Sequence, residues 1–255
     1  MTAAQPVVPD DCYLICLDSV GSTNENAKTL AQSGAEEGTV VWSREQTAGK
    51  GRHGRTWTSP RGNLYLSIIQ RPDCRPADAP QMGFVTGVAL ANAITRLSDV
   101  PVALKWPNDL MIEGKKASGI LLESAADAKG RLDWLVIGTG VNVEIFPDEL
   151  PDVTSLRAAG AEITVEDLLS AFLERLFLYA ELWRAQGFGP IRERWLSFAL
   201  PKDTEMRVRL PSGDVFGRFS SIDERGSLLL ETDNGSRRID MGDVFPLPRT
   251  NEETC

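Results

Sequence analysis

The sequence predicts an α+β fold, in which a mixed or antiparallel sheet is backed by helices and followed by a small β-barrel. Three observations lead to this prediction. Predicted strands follow one another across turns too short to hold a helix, which is typical of antiparallel hairpins. Long segments with apolar residues at helical spacing can cover the sheet. Beyond residue 200 the chain changes to short strands separated by turn residues, the pattern of a small barrel.

Each element of the larger unit is predicted from its own pattern of apolar residues, which alternate in strands and recur every three or four residues in helices. Gly21, Ser22 and Thr23 supply a turn and an N-cap for the first helix. The predicted strands are 12–17, 39–46, 64–70, 102–106, 110–112, 117–124 and 134–143. The predicted helices are 23–32, 79–97, 165–183 and 191–198.

The change of pattern near residue 200 predicts a boundary between two domains. We expect a tail at 1–11, a large domain at 12–200, a small barrel at 201–248 and a second tail at 249–255. The start of the chain lacks the basic and apolar parts of a secretory signal, and no apolar run approaches the ~18 residues of a membrane-spanning helix. These observations predict a cytoplasmic protein that does not bind membranes.

The cysteines and the single histidine exclude several kinds of site. The four cysteines form no CxxC pair and are expected to be core thiols, not disulfide partners or metal ligands. They are Cys12, Cys16, Cys74 and Cys255. His53 is the only histidine, so two-His metal sites are excluded and a Ser/His/Asp triad would have to use it. Its neighbours Arg52 and Arg55 disfavour an imidazolium, and we do not expect catalysis by His53.

Charge is distributed unevenly along the chain. The 255 residues include 27 Lys plus Arg and 36 Asp plus Glu, for a formal net charge of -9. Residues 46–72 nevertheless contain five basic residues and no acidic one. General binding of nucleic acids or anionic membranes needs Lys and Arg spread over many phosphates, which an acidic chain does not offer. The basic segment therefore indicates one small anionic ligand.

The basic segment contains the string GKGRHGR at 49–55, which matches parts of two phosphate-binding patterns, GxGxxG and the P-loop. Both mechanisms require a helix to begin within the motif. Residues 56–62 are instead poor helix formers that lead into a strand, so we reject both patterns. Glycines beside Lys50, Arg52 and Arg55 still suit a polyphosphate or a developing phosphoryl charge. The structural alternative is a solvated, flexible loop.

Three further strings place polar groups or glycines where a ligand could approach. KWPNDL at 105–110 puts a cation, an amide and a carboxylate on a turn between two predicted strands. Lys116 begins a strand whose next residues are small or apolar, and two glycines interrupt a strand at 138–142. A simple β-turn, a solvated hairpin lysine and a bulge are the structural alternatives.

Together and in this order, the strings resemble the biotin protein ligase family. The matching pieces are Ser22 to Asn24, Gln46 with the loop 49–55 and Trp57, Gly62 to Ser67, Lys105 to Leu110, Lys116 to Leu121, and Gly138 to Asn142. The resemblance runs from about residue 12 to the C-terminus. It implies that 12–200 is a class II synthetase-like catalytic domain and that 201–248 is an SH3-like barrel.

The resemblance also implies a reaction and a set of site residues. Biotin and ATP, with Mg²⁺, would give biotinyl-5′-AMP, and biotin would then pass to a lysine of a biotin carboxyl carrier protein of acetyl-CoA carboxylase or a related carboxylase. The implied catalytic residues are Lys116, Arg52 and Asp109, and Asp109 is also a candidate metal ligand. The implied biotin contacts are Ser22, Thr23, Asn24, Gln46, Lys50, Gly51, Arg52, Lys116, Gly119 and Gly138. The implied ATP contacts are Lys50, Arg52, Arg55, Trp57, Lys105, Asn108 and Asn142.

Two departures from the family pattern carry expectations of their own. The family loop commonly reads GRGRRGR or GRGRHGR, whereas Lys50 here keeps the charge and lacks the planar fork of arginine, so retention of the adenylate is expected to differ. Repressor-type members carry an N-terminal helix-turn-helix module of about sixty residues. Because only some eleven residues precede the first predicted strand, we expect a ligase that does not bind DNA.

Two other functions stay open at this point. A lipoate or octanoate ligase or transferase would share the fold, but its usual arginine and triple-glycine motif is missing here. A nucleic-acid-binding protein would use the basic loop and the barrel. Against this alternative, the chain from Pro201 onward has eight basic and eleven acidic residues.

Overall fold

The computed structural model describes residues 6–247 and has the predicted α+β architecture. A seven-stranded mixed sheet is followed along the chain by a five-stranded antiparallel sheet. The predicted tail at 249–255, which includes Cys255, and residues 1–5 of the predicted first tail lie outside the described residues. No helix within 6–247 is long and apolar enough to cross a membrane.

The elements match the predicted ones closely in order and position. The larger sheet contains β1 (Tyr13–Leu17), β2 (Thr39–Ser43), β3 (Leu64–Gln70), β4 (Ala103–Lys105), β5 (Asp109–Ile112), β6 (Lys115–Ala126) and β7 (Leu132–Val141). The helices are α1 (Thr23–Gln32), α2 (Gln81–Leu97), α3 (Val165–Gln186) and α4 (Gly189–Phe198). The smaller sheet contains β8 (Glu205–Leu210), β9 (Gly213–Ile222), β10 (Leu228–Thr232), β11 (Gly235–Ile239) and β12 (Asp243–Pro246).

The larger sheet has the strand order β1-β2-β3-β7-β6-β5-β4 and is covered by helices on both faces. Only β1 and β2 pair in parallel, so the sheet is mixed, as predicted. Along β7, Ile137 and Val141 face the core beneath α2 and α3, whereas Trp134 and Val136 face α1. This alternation follows from the two-residue period of a strand. It leaves the glycines of β7 on the α1 face.

The smaller sheet packs onto the helices of the larger unit. Its order is β11-β10-β9-β8-β12, and its two end strands are not paired with each other within the described residues, so the sheet is open. Phe84 of α2, Trp195 of α4 and Phe219 of β9 form edge-to-face aromatic contacts across the junction. One hydrophobic core runs through both units, and their division into domains near residue 200 stays a prediction.

The expectation that the cysteines are core thiols is only partly correct. Cys12 is buried and Cys74 is half-buried, but Cys16 is exposed. Cys16 lies on β1, the edge strand, which pairs with β2 alone. Edge strands are covered on fewer sides, and Tyr13 and Ile15 of the same strand are exposed as well. The alternation of residues in the sequence therefore predicted more burial for β1 than the structure shows.

Candidate active site

A cavity of about 250 Å³ opens on the α1 face of the larger sheet, and its size suits a small molecule. Its walls come from the start of α1, the cationic loop (residues 49–57), the β4–β5 turn, β6, β7 and β12. The predicted site residues that line it are Ser22, Thr23, Asn24, Gln46, Lys50, Gly51, Arg52, Arg55, Trp57, Lys105, Asn108, Asp109, Lys116, Gly119 and Gly138. Leu66 lines it as well, so all six matching strings contribute to one cavity.

Asn142 is the one predicted site residue that does not line this cavity. It is buried behind the wall, where its Nδ2 donates to the carbonyl of Thr154 at 3.0 Å. Its backbone carbonyl accepts from the N–H of Leu156. In this structure Asn142 fixes the segment that follows β7, and a direct contact with ATP stays a prediction.

One end of the cavity, the neutral end, is lined by the buried polar side chains of Ser22, Thr23 and Asn24 and by the half-buried amide of Gln46. The buried hydroxyl of Ser67 supports it through contacts with Thr23 and Asn24. The backbone N–H and hydroxyl of Thr23 both donate to Gln46 Oε1, at 2.8 and 3.1 Å. The hydroxyl of Ser67 lies 2.8 Å from Thr23 Oγ1 and 2.5 Å from Asn24 Oδ1. Such fixed donors and acceptors suit an uncharged polar ring, because no charge has to be balanced on binding.

Ser22 occupies the N-cap position of α1, as predicted, but its hydroxyl does not cap the helix. Its backbone is extended and its carbonyl accepts from the N–H of Asn26. The side chain makes no capping hydrogen bond and lines the cavity instead. The helix start therefore leaves one hydroxyl free for a ligand.

Glycines form the floor of the cavity because side chains from other elements lie directly on the sheet. A Cβ at Gly138 would be 2.0 Å from Asn24 Oδ1, and one at Gly140 would be 2.6 Å from Trp57 Nε1. Gly119 pairs with Gly140 across β6 and β7, and a Cβ there would be 3.4 Å from the same indole. The indole of Trp57 thus lies over glycines of two neighbouring strands, and a side chain on Gly140 would displace it.

The opposite end, the charged end, is built around Asp109 at the start of β5. Lys116 Nζ lies 2.5 Å from its Oδ1, and Lys105 Nζ lies 2.9 Å from its Oδ2. All three side chains are largely buried. Burial raises the pKa of the Asp109 carboxyl, but the two ammonium groups outweigh this effect and hold the pKa below its ordinary value. The group therefore carries one carboxylate between two cations.

A β-bulge turns Lys116 toward the cavity. Leu110 pairs with Ser118 and Met111 pairs with Lys116, so Ala117 has no partner on β5. Without this extra residue, strand alternation would place Lys116 on the opposite face from Gly119. With it, Lys116 Nζ lies 3.2 Å from the position of a Cβ on Gly119 and 5.4 Å from the centre of the Trp57 ring.

The cationic loop is a tight turn closed by the bond from the N–H of Gly51 to the carbonyl of Arg55. His53 and Gly54 both have positive φ, which reverses the chain within this turn. The loop contains only a three-residue 3₁₀ turn (Arg52–Gly54) and is followed by β3, so no α-helix begins within the motif, in agreement with the rejection of the two phosphate-loop patterns. His53 is exposed and does not line the cavity.

Asp243 of β12 is the main site residue that the sequence did not reveal. It forms an ion pair with Arg55, and its Oδ1 lies 3.7 Å from Arg52 and 3.9 Å from His53. Partial burial raises its pKa, but the hydrogen bond from Arg55 and the nearby charges hold the pKa below the ordinary value. Arg52 also donates to Asn108 Oδ1 at 2.9 Å. The loop is therefore held between the β4–β5 turn and the last strand.

Every cation of the basic segment 46–72 has an acidic partner outside that segment. The pairs are Lys50 with Glu25, Arg52 and Arg55 with Asp243, Arg61 with Asp18 and Glu45, and Arg71 with Asp133. A general nucleic-acid surface needs cations that are free to meet phosphates. The basic segment therefore does not present a row of free cations to a nucleic acid.

The described residues do not form a metal site of their own. They contain no cluster of three or more His, Cys, Asp or Glu side chains that could hold a metal ion. Both oxygens of Asp109 already face lysine ammonium groups. This donor set does not fit the several oxygen ligands that Mg²⁺ requires.

Comparisons with known proteins identify the family to which the residues around the cavity point. The sequence profile of the biotin/lipoate A/B protein ligase family matches residues 16–142, and that of the biotin protein ligase C-terminal domain matches 205–245. The bifunctional ligase/repressor BirA of Bacillus subtilis is 40% identical over 243 residues, covering 91% of this chain and 73% of the relative. The biotin acetyl-CoA-carboxylase ligase of Paracoccus denitrificans is 35% identical, covering 88% and 96%.

A solved structure has the same fold. The biotin protein ligase of Aquifex aeolicus, in complex with biotin and ATP, superposes with a TM-score of 0.78 at 29% identity, and the match covers 91% of this chain and 97% of that one. The cavity, the order of the motifs and these matches lead to one conclusion. The chain belongs to the biotin protein ligase family.

Proposed function

We propose that this protein activates biotin with ATP to biotinyl-5′-AMP and pyrophosphate, and then transfers biotin to a lysine of a biotin carboxyl carrier domain. One observation carries the proposal: a single cavity joins a neutral, hydrogen-bonding end to a charged end that contains Lys116, and the Trp57 ring centre lies 5.4 Å from Lys116 Nζ. Biotin has a neutral ureido ring and an anionic carboxylate, and ATP adds a planar base and phosphates. The two ends of the cavity match these groups.

In the first step, the carboxylate of biotin attacks the α-phosphorus of ATP, and the bond to the β-phosphate breaks as pyrophosphate leaves. Both reactants are anions, so positive charge must be in place before they meet. Lys116 is our candidate to bridge the carboxylate and the α-phosphate. Arg52 and Arg55 are our candidates for the phosphates, and Lys105 holds Asp109 in place.

The remaining predicted contacts are assigned by position. We assign the ureido ring to Ser22, Thr23, Asn24 and Gln46, and the adenine to the face of Trp57. Gly119 and Gly138 allow the ligand to approach the backbone. Lys50 and Gly51 belong to the cationic loop, which we propose closes over the ligand as a lid. Asn108 is committed to Arg52, so we assign it the role of holding that guanidinium over the phosphates.

Asp109 is assigned to the second step, in which the amine of the acceptor lysine attacks the acyl-adenylate and AMP leaves. Its lowered pKa makes it a poor proton acceptor. Within the described residues, Oδ1 is buried and has no aligned hydrogen-bond donor, although Lys116 lies close. We therefore assign Asp109 to attracting and orienting the incoming lysine.

Further parts of the proposal concern the ion, the partner and the location. We propose that Mg²⁺ arrives bound to the phosphates of ATP, whose oxygens are ligands that it prefers. The proposed partner is the carrier protein of acetyl-CoA carboxylase or a related carboxylase. The cytoplasm is the proposed location, because cysteines that stay free are typical of reducing compartments.

One experiment tests substrate and reaction together. The protein is incubated with MgATP, a biotin carrier domain and either biotin, lipoate or octanoate, while pyrophosphate release and the mass of the carrier are measured. We expect release and a mass increase with biotin only. Release with lipoate or octanoate and none with biotin would overturn the proposal in favour of the lipoate branch of the family.

A further inference from the structure

Lys50, the first cation of the cationic loop, forms its ion pair with helix α1 and not with the charged end of the cavity. Its Nζ lies 2.6 Å from Glu25 Oε1, and the same oxygen lies 3.0 Å from Lys28 Nζ. Lys28 in turn lies 2.8 Å from Glu123 Oε1 on β6. Four side chains of alternating charge thus join the loop to the sheet.

The last member of this row also contacts the neutral end of the cavity. Glu123 Oε2 accepts a hydrogen bond from Asn24 Nδ2 at 2.9 Å. An ionised carboxylate can only accept hydrogen bonds, so the amide nitrogen of Asn24 must face Glu123. Asn24 Oδ1 is thereby turned toward the hydroxyl of Ser67, which lies 2.5 Å away. Glu123 thus decides which way a buried amide points.

That orientation has consequences along a continuous chain of hydrogen bonds. Ser67 contacts Thr23, Thr23 donates to Gln46 Oε1, and Gln46 Nε2 donates to Ser59 Oγ at 2.9 Å. Each amide has its oxygen committed at one side and its nitrogen at the other. If Asn24 were reversed, its nitrogen would face the Ser67 hydroxyl and its oxygen would face a carboxylate, which offers no donor. The polarity of the neutral end is therefore set from outside the cavity.

We propose that Glu123 is a positioning residue for biotin binding: it fixes the Asn24 amide, and through it the donors and acceptors that meet the ureido ring. This role rests on the proposed function. Glu123 does not line the cavity itself, and its side chain is about one quarter exposed (28%). It acts through Asn24 and takes no part in the chemistry at the phosphorus atom.

The test measures biotin affinity by calorimetry, together with KM for biotin and kcat, for the full chain and its variants. Glu123→Gln keeps the size of the side chain but offers a donor as well as an acceptor, so Asn24 can reverse. We expect Kd and KM for biotin to rise about 10- to 100-fold, while kcat at saturating biotin stays within about threefold. Thermal unfolding of the same samples confirms that the variants are folded.

Two further variants separate this role from a general structural one. Lys28→Met removes the neighbouring cation but leaves the bond between Glu123 and Asn24, and should change biotin affinity less than about threefold. In an Asn24→Ala background, Glu123→Gln should add almost nothing, because the group through which it acts is gone.

Three outcomes would overturn the role of Glu123 while leaving the ligase function intact. They are normal biotin affinity in Glu123→Gln, an equal loss in Lys28→Met, and an undiminished effect of Glu123→Gln in the Asn24→Ala background. Failure of the unsubstituted protein to bind biotin would instead overturn the proposed function, and with it this role.

Discussion

The neutral end and the charged end of the cavity are fixed by different means. In the neutral end, hydroxyls and amides of α1, β3 and the segments on either side of the cationic loop hydrogen-bond to one another. In the charged end, each cation is held by an acid that is itself partly buried, such as Asp109 or Asp243. The hydrogen bonds of the neutral end fix the orientation of its hydroxyls and amides. At the charged end, a cation can leave its acidic partner and pair with an anionic ligand instead.

This difference indicates how the two substrates are received. The neutral end can accept a ring without rearrangement, since its groups are already oriented. At the charged end, Arg52 and Arg55 already neutralise Asp243, so the phosphates of ATP must share or replace that partner. We therefore expect changes at the charged end to affect rates, and changes at the neutral end to affect biotin affinity.

Lys116→Ala should have the largest effect, because it removes the cation placed between the two reacting anions. We expect pyrophosphate release to fall about 100- to 1,000-fold, the range for loss of one preorganised electrostatic contact. Lys115→Ala is the matched control, since Lys115 is the exposed neighbour on the same strand and does not line the cavity. Near-normal pyrophosphate release by Lys116→Ala would contradict the assignment of the reaction chemistry to the charged end.

Arg52→Gly should release the adenylate too early. The substitution removes both the bond to Asn108 and the ion pair with Asp243, so the lid loses its link to the β4–β5 turn. We expect labelling of bystander lysines, measured on an added inert protein, to rise about 10- to 100-fold. Arg61→Gly serves as the control, because Arg61 pairs with Asp18 outside the cavity. Labelling confined to the carrier domain would show that the loop is not a lid.

Gly138→Ala tests the neutral end. The added methyl group would meet Asn24 Oδ1 at 2.0 Å, so the amide must move. We expect biotin affinity to fall about tenfold and the free energy of unfolding to drop by about 1–3 kcal/mol, whereas kcat at saturating biotin changes little. Gly189→Ala, where a methyl group meets open space at the start of α4, should leave biotin affinity unchanged and should not lower the free energy of unfolding. A loss of kcat with unchanged affinity would contradict the assignment of this end to biotin.

Asp243→Asn should have the smallest effect, on stability. At pH 7 we expect the free energy of unfolding to fall by about 1 kcal/mol, because the ion pair with Arg55 is partly exposed. The pKa of Asp243 is lowered in the folded protein, so its stabilisation is present at pH values above the unfolded pKa of ~3.9 and is lost as the pH falls through the lower folded value. Denaturant titrations between pH 7 and pH 3 should show the difference between the two proteins shrinking only at the acidic end.

Much of the fold and most of the cavity could be predicted because their signals are local. Periodicity located β3 at the observed residues and placed α2 and α3 within a few residues of their bounds. The motif strings identified residues that line one cavity, because each string carries its own turn or glycine. The GKGRHGR string, for example, contains the residues that reverse the chain at His53 and Gly54.

The remaining features depend on contacts between distant residues. Asp243 pairs with Arg55 across 188 positions, and no pattern near residue 243 distinguishes that aspartate from other surface acids. Glu123 reaches Asn24 across 99 positions from a partly exposed strand position. Asn142 belongs to a glycine string of the cavity, and strand alternation alone would place it on the cavity face. Because β7 ends at Val141, the hydrogen bond from Asn142 to Thr154 instead holds its side chain in the interior. Only tertiary packing determines these three roles.

The contact between β12 and the cationic loop also determines at which stage of synthesis the ion pairs of that loop can form. A ribosome delivers the motifs at 22–24, 46–57 and 105–121 long before Asp243. The residues of the neutral end and of the cationic loop therefore leave the ribosome before the aspartate that pairs with Arg52 and Arg55. Because β12 is the last strand within the described residues, a chain interrupted before residue 243 would lack that partner. The ion pairs of the cationic loop are thus complete only near the end of synthesis.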